Sequence, residues 1–161
     1  MADIVSPDVR SRMMSGIRRR DTKPELAVRS ALHRDGYRFR VDVSDLPGSP
    51  DIVLAKWNTA IFIHGCFCHR HAGCARATNP RTRAEKWQEK FQRNIERDEK
   101  ATSALLAKGW RVALIWECSL GRNYLDDSMA ALKQFISGSQ EVRQMEWPKT
   151  PVFPLPPKTK T

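Results

Sequence analysis

The stretch Asp51-Ile52-Val53-Leu54-Ala55-Lys56-Trp57-Asn58-Thr59-Ala60-Ile61-Phe62-Ile63-His64 holds two short apolar runs, rich in β-branched residues and broken by a Trp57-Asn58 turn. Runs of this length between turn residues predict consecutive strands. Upstream, Tyr37, Phe39 and Val41 alternate with polar residues and predict an earlier strand, joined through the Pro47-Gly48-Ser49-Pro50 turn, so a three-strand meander is expected. Before it, Thr22-Lys23-Pro24-Glu25 is a capping box opening a helix that ends at Gly36, and Ser6-Pro7-Asp8 starts a shorter one. Downstream, Trp87, Phe91, Ile95, Leu105 and Leu106 recur at helical spacing between Arg83 and Lys108, and Gly109 closes that helix. Trp110 to Trp116 predicts a fourth strand. A last amphipathic helix follows Asp126, with Met129, Leu132 and Phe135 or Ile136 inside. The order of elements predicts an α/β protein, of α+β type, with a mixed sheet flanked by helices.

The 161 residues, 40% hydrophobic, suffice for one core. No apolar run reaches the roughly 18 residues that a membrane span needs, and the opening Met1-Ala2-Asp3-Ile4-Val5 lacks the features of a signal peptide, so a soluble cytoplasmic protein is expected. Lys and Arg number 28 against 18 Asp and Glu, a net charge of +10. The excess is clustered: Arg10, Arg12, Arg18, Arg19, Arg20 and Lys23 crowd one segment, while Arg76, Arg81, Arg83, Lys86 and Lys90 crowd another. Clustering favours contact with a polyanion such as nucleic acid over a merely solvated surface. After Trp147, prolines alternate with Lys and Thr, which predicts an extended appendage.

Three carboxylates stand out, each with a structural alternative. Asp51, where the Pro50 turn meets an apolar strand, suits a hard cation or local backbone amides equally well. Glu25 at position N3 of a capping box has a purely structural reason to be there. Asp98 shares a helix face with Trp87, Phe91, Ile95 and Leu105, so it needs a buried partner, a His being favoured over a structural ion pair. The densest signal is His64-Gly65-Cys66-Phe67-Cys68-His69-Arg70-His71-Ala72-Gly73-Cys74. With Cys118 at the end of the fourth strand, it offers more ligands than one tetrahedral zinc requires, leaving a His such as His64 or His69 free for proton transfer. Phe67 and Trp87 are apolar wedge candidates beside a basic region, although Trp87 also fits the helix core.

These residues resemble the Vsr-type very-short-patch repair endonucleases. The likeness rests on His64-Gly65-Cys66-Phe67, His69-Arg70-His71, Arg81-Thr82-Arg83, Asn94-Ile95-Glu96-Arg97-Asp98, Gly109-Trp110-Arg111-Val112 and Trp116-Glu117-Cys118, with Met14, Arg20-Asp21-Thr22, Glu25 and Leu46 to Asp51 also matching. The resemblance implies a restriction-endonuclease-like core that uses Mg2+ to nick double-stranded DNA 5′ to the thymine of a T:G mismatch. Asp51 would hold the metal with the Ile63 carbonyl, His69 oriented by Asp98 would be the general base, and His64 and Glu25 would complete the site. Phe62-Ile63-His64 stands where the wider superfamily has an acid-x-Lys pair. A structural Zn2+ would be held by Cys66, His71, Cys74 and Cys118. Residues 1–20, with Met14, Arg19 and Arg20, would form a DNA-gripping arm, 21–140 the nuclease core, and 141–161 a Pro/Lys-rich tail. Phe67 and Trp87 would meet the bases. The family's Trp after Phe67 is replaced here by Cys68. A nucleoid-associated bacterial monomer is expected, with contact to mismatch-repair proteins. The rival readings are a restriction-like nuclease acting on undamaged DNA and a non-catalytic zinc-stabilised DNA-binding protein.

Overall fold

The computed structural model describes residues 21–154. The helix expected from Ser6 and the basic residues up to Arg20 lie outside that range. Thr22 caps α1 (Lys23–Arg34): its hydroxyl accepts from the Glu25 amide at 3.5 Å, and Glu25 Oε2 in turn accepts from the Asp21 amide at 3.0 Å. Pro24 in the first turn needs no donor there.

One sheet has the strand order β1 (Arg40–Val41), β2 (Ile52–Leu54), β3 (Thr59–His64), β4 (Arg111–Trp116), β5 (Gln144–Trp147). The first three form an antiparallel meander, whereas β4 runs parallel to β3 and β5 parallel to β4. Parallel neighbours need a long crossover. These are supplied by α2 (Ala84–Ala107) and α3 (Leu125–Ser137).

Every residue of β3 is buried. Its alternation sends Ile61 and Ile63 into the core made with α1 and α3, and Ala60 and Phe62 into the core made with Leu105 of α2. Helices therefore cover both faces of the sheet. No helix among the described residues is long and apolar enough to cross a membrane.

Arg111 ties β4 to α3. Only 2% exposed, it donates to the Phe135 and Ile136 carbonyls in the last turn of α3, to the Val142 carbonyl and to the Thr59 hydroxyl. A cation at a helix C-terminus satisfies orphan carbonyls and complements the helix dipole, which offsets burial of the charge.

Two details depart from expectation. Tyr37 and Phe39 lie outside β1 and pack, half-buried, onto the α1–α3 core. Within the stretch expected as a tail, Gln144–Trp147 forms the fifth strand, and Val152 and Phe153 pack against the buried cysteines. Gln144 and Glu146 are exposed while Met145 and Trp147 are half-buried, so this strand has the weak pattern of an edge and takes its pairing from β4, far away in sequence.

Candidate active site and metal centre

The antiparallel register pairs Ile52 with Ile61, so Asp51, just before β2, faces the end of β3. Asp51 Oδ2 accepts from the Ile63 amide at 2.7 Å. Here opens a cavity of about 360 Å³, with Glu25, Asp51, Ile63, His64, His69 and Asp98 in its wall. Burial raises the Asp51 pKa to about 7, reinforced by the charges of Glu25 and Asp42 and partly offset by the Ile63 amide and His69. Oxygens of Glu25, Asp42 and Asp51 lie within 4.8 Å of one another. Carboxylates so placed are costly as anions without a cation, and a divalent ion relieves both burial and repulsion. The donor set is all oxygen, which suits a hard cation. Burial also raises the Glu25 carboxyl above its ordinary range.

The cavity's opposite wall holds two imidazoles and an acid. Asp98, on α2, accepts from His69 Nδ1 at 2.6 Å. That bond keeps the proton on Nδ1, pointed at the carboxylate, and leaves Nε2 with its lone pair, the form a proton acceptor needs. His64, the last residue of β3, stacks on His69 with ring centroids 3.9 Å apart at 9°, and its Nδ1 is 4.0 Å from Asp98 Oδ2. Burial, then the neighbouring His69, lowers the His64 pKa to about 3, with Arg97 adding to the effect and Asp98 opposing it. His64 is therefore a neutral ring at ordinary pH.

A second cluster sits beyond the strand ends. Because β3 and β4 are parallel with His64 opposite Trp116, the loop after one and the turn after the other emerge side by side. Cys66, His71, Cys74 and Cys118 meet there, all buried, with their ligand atoms within 4.8 Å of one another. His71 Nδ1 is 3.5 Å from Cys66 Sγ and 3.6 Å from Cys118 Sγ. A tetrahedron with zinc-type bond lengths has N···S edges of about 3.6 Å, so the set fits zinc. The His71 ring stacks flat on Trp116, centroids 4.3 Å apart, which fixes its orientation. Burial raises the Cys66 and Cys118 thiols, outweighing the hydrogen bonds that oppose it, so these groups hold their protons until a metal replaces them.

A family model described as DNA mismatch endonuclease Vsr matches residues 2–76. The chain is 41% identical over 149 residues to the DNA mismatch endonuclease Vsr of Escherichia coli strain K12, spanning 91% of this chain and 95% of that one. It is 44% identical over 137 residues to the type II nicking enzyme V.XorIIP of Xanthomonas oryzae pv. oryzae, spanning 80% of this chain and 100% of the relative. The chain belongs to the Vsr family. The chain is also 41% identical over 128 residues to the type II nicking enzyme V.NaeI of Lentzea aerocolonigenes, spanning 76% of this chain and 74% of that one.

Of the residues singled out as Vsr site candidates, the structure gathers Glu25, Asp51, Ile63, His64, His69 and Asp98 around one cavity. It gathers the four expected zinc ligands into one cluster, and Cys68 stays exposed outside it. Phe67 and Trp87 meet edge to face at 5.3 Å, both half-buried over Phe91, with Arg70 stacked 4.2 Å above Phe91. Met14, Arg19 and Arg20 lie outside the described residues. Sequence reasoning passed over Arg29 and Asp42. The i,i+4 spacing of Glu25 and Arg29 was the available signal for the first.

Proposed function

We propose that this Vsr family member is a magnesium-dependent endonuclease that nicks one strand of duplex DNA on the 5′ side of the thymine in a T:G mismatch. Such mismatches arise when 5-methylcytosine deaminates. The observation that carries the reading is the convergence, in one cavity, of the buried Asp51 carboxylate and the Asp98–His69 pair. Further support comes from the relatives' names, which are those of a mismatch endonuclease and of nicking enzymes. A meander followed by two parallel strands is consistent with a restriction-endonuclease-like core.

Magnesium, held by Asp51 and the Ile63 carbonyl, would supply charge neutralisation at the phosphate and help the departing 3′-oxygen. The protein's own groups do the rest. Asp98 holds the proton on His69 Nδ1, so His69 Nε2 takes a proton from a water as its oxygen attacks phosphorus. The bond from phosphorus to the 3′-oxygen breaks, leaving a 5′-phosphate on the thymidine. His64, neutral and stacked on His69, walls off one face of the working ring. Glu25 lines the acidic side of the cavity.

Zinc on Cys66, His71, Cys74 and Cys118 would fasten the loop that carries Phe67 and His69 and play no chemical part. Phe67 and Trp87, beside Arg70 and Lys90, suit contact with a weakly stacked base pair, which costs less to open than a matched one. Basic side chains supply the phosphate contacts.

The test is cleavage, with magnesium, of labelled duplexes that differ only in carrying T:G or C:G at one position, with Asp51→Ala as control. Nicking of the T:G duplex alone, lost in the variant, is the expected result. Equal cutting of both duplexes would replace the proposal with a restriction-like nuclease. Binding without any cutting, across varied flanking sequences, would replace it with a non-catalytic DNA-binding protein.

A further inference from the structure

Three carboxylates lie on the α1 side of the cavity around one guanidinium. Arg29 Nη1 is 2.5 Å from Asp21 Oδ1, and Nη2 is 3.1 Å from Glu25 Oε2 and 3.5 Å from Asp42 Oδ2. Its side chain is 13% exposed, and that of Glu25 only 5%. Glu25 and Asp42 in turn lie within 4.8 Å of Asp51. A mostly buried guanidinium that serves three acids at once is more than an exposed ion pair, because its planar fork fixes the directions of its partners. Arg29 Nε is buried and, among the described residues, has no hydrogen-bond partner. An unsatisfied buried donor costs stability, so the placement is better explained by the carboxylates it orders than by the fold.

We propose that Arg29 is a positioning residue of the nuclease site, clamping Glu25 against the cavity wall beside Asp51 and neutralising the acids of that wall. The proposal rests on the nuclease reading of the cavity. Without Arg29, Glu25 and Asp42 face Asp51 with the salt-bridge partner they share among the described residues gone, and for Glu25 that partner is the one four residues along its helix. Asp21, which directly follows the segment 1–20 expected to grip DNA, loses an anchor too.

The experiment compares Arg29→Met, Arg29→Lys, Asp42→Asn and the double variant Arg29→Met/Asp42→Asn. Single-turnover nicking is measured at saturating duplex and magnesium, DNA affinity without divalent cation, and thermal unfolding of each protein. Arg29→Met is expected to slow nicking roughly tenfold or more, because small misplacements at a reacting centre are costly, while DNA affinity changes less than threefold. Arg29→Lys keeps the charge but not the fork and should fall between. The double variant removes one of the acids left unneutralised and should recover at least threefold over Arg29→Met.

Nicking by Arg29→Met at the wild-type rate would overturn the proposal. So would a loss that simply follows DNA affinity, or a double variant no better than the single. If the wild-type protein cuts no duplex offered, the nuclease reading fails by itself. The thermal double-mutant cycle then decides the clamp: coupling between Arg29 and Asp42 sustains it, and additive effects overturn it.

Discussion

His64 and His69 stack nearly parallel with ring centroids 3.9 Å apart, and only His69 holds the short bond to Asp98. Two cationic rings at that distance would repel. The structure avoids this by keeping His64 neutral, its pKa lowered to about 3 chiefly by burial.

The consequence concerns pH. His64→Gln replaces a ring that is neutral across the working range, so single-turnover nicking between about pH 5.5 and 9 should fall in rate but keep the shape and position of its acid limb. A limb that vanished in His64→Gln would make His64 the titrating group.

Gly48, in the cavity wall, lies close against Ala101 of α2. A Cβ there would lie 2.5 Å from Ala101 Cβ and 3.2 Å from the Phe62 ring, and φ is +74°. Neither Ala101 nor the helix under it can rotate away. Gly48→Ala is expected to cost about 2–4 kcal/mol in thermal or denaturant unfolding, adding left-handed strain to overpacking. Ala101→Gly in the same chain should return part of that loss, since it removes the clash but not the strain. Ala101 is three residues beyond Asp98, so the nicking rate should fall more than DNA affinity does.

Much of this arrangement was legible in sequence because its signals are local. The runs around Ile52 and Ile61, the Thr22 cap and the Phe91–Leu105 stripe follow short-range rules, and the structure has strands or helices there. The Cys66–Cys74 loop announced a metal through density alone, and Asp98 announced a partner by standing on an apolar stripe. Resemblance to the family named that partner as His69.

What sequence hid depends on distant packing. Arg111 looked like a polar residue in an apolar strand, and its value comes from carbonyls of α3 more than 20 residues later. The strand Gln144–Trp147 has no run of β-branched residues and exists through its register with β4. Asp42, just after β1, meets Arg29 of α1 from 13 residues away, a contact made by tertiary packing. That Cys118 closes the cluster follows from parallel pairing of β3 and β4, which no local pattern dictates.

Asp51 makes metal-free stability depend on pH in a definite direction. Its folded pKa, about 7, lies above the ordinary value of 3.8, so the folded state holds the proton more tightly than the unfolded chain. Stability from this group is therefore complete below about pH 4, declines as pH rises towards 7, and stays reduced above it. Asp51→Asn keeps an oxygen for the Ile63 amide and cannot ionise. In chelator at about pH 8 it should unfold later than the wild type, by roughly 1–3 kcal/mol, with no difference near pH 4. Added magnesium should stabilise the wild type and leave the variant unmoved. A less stable variant at pH 8 would show that the ionised carboxylate is held comfortably without a cation.

Cys68 stands between Phe67 of the aromatic cluster and His69 of the cavity, exposed and outside the metal cluster, with its carbonyl held by Asn94 Nδ2 at 3.0 Å. The backbone is thus fixed while the side chain is free to change. A ring placed there would lie beside Phe67 at the surface, where stacking on an opened base adds roughly 1–3 kcal/mol. Part of that gain is spent on unstacking, less at a mismatch than in matched duplex. Cys68→Trp is therefore expected to tighten binding to a T:G duplex roughly three- to tenfold, to tighten C:G binding less, and to leave zinc content unchanged. Titration of both duplexes with both proteins, alongside metal analysis, checks it. Unchanged or weaker T:G binding would mean that Phe67 and Trp87 already fill the space a wedge can use.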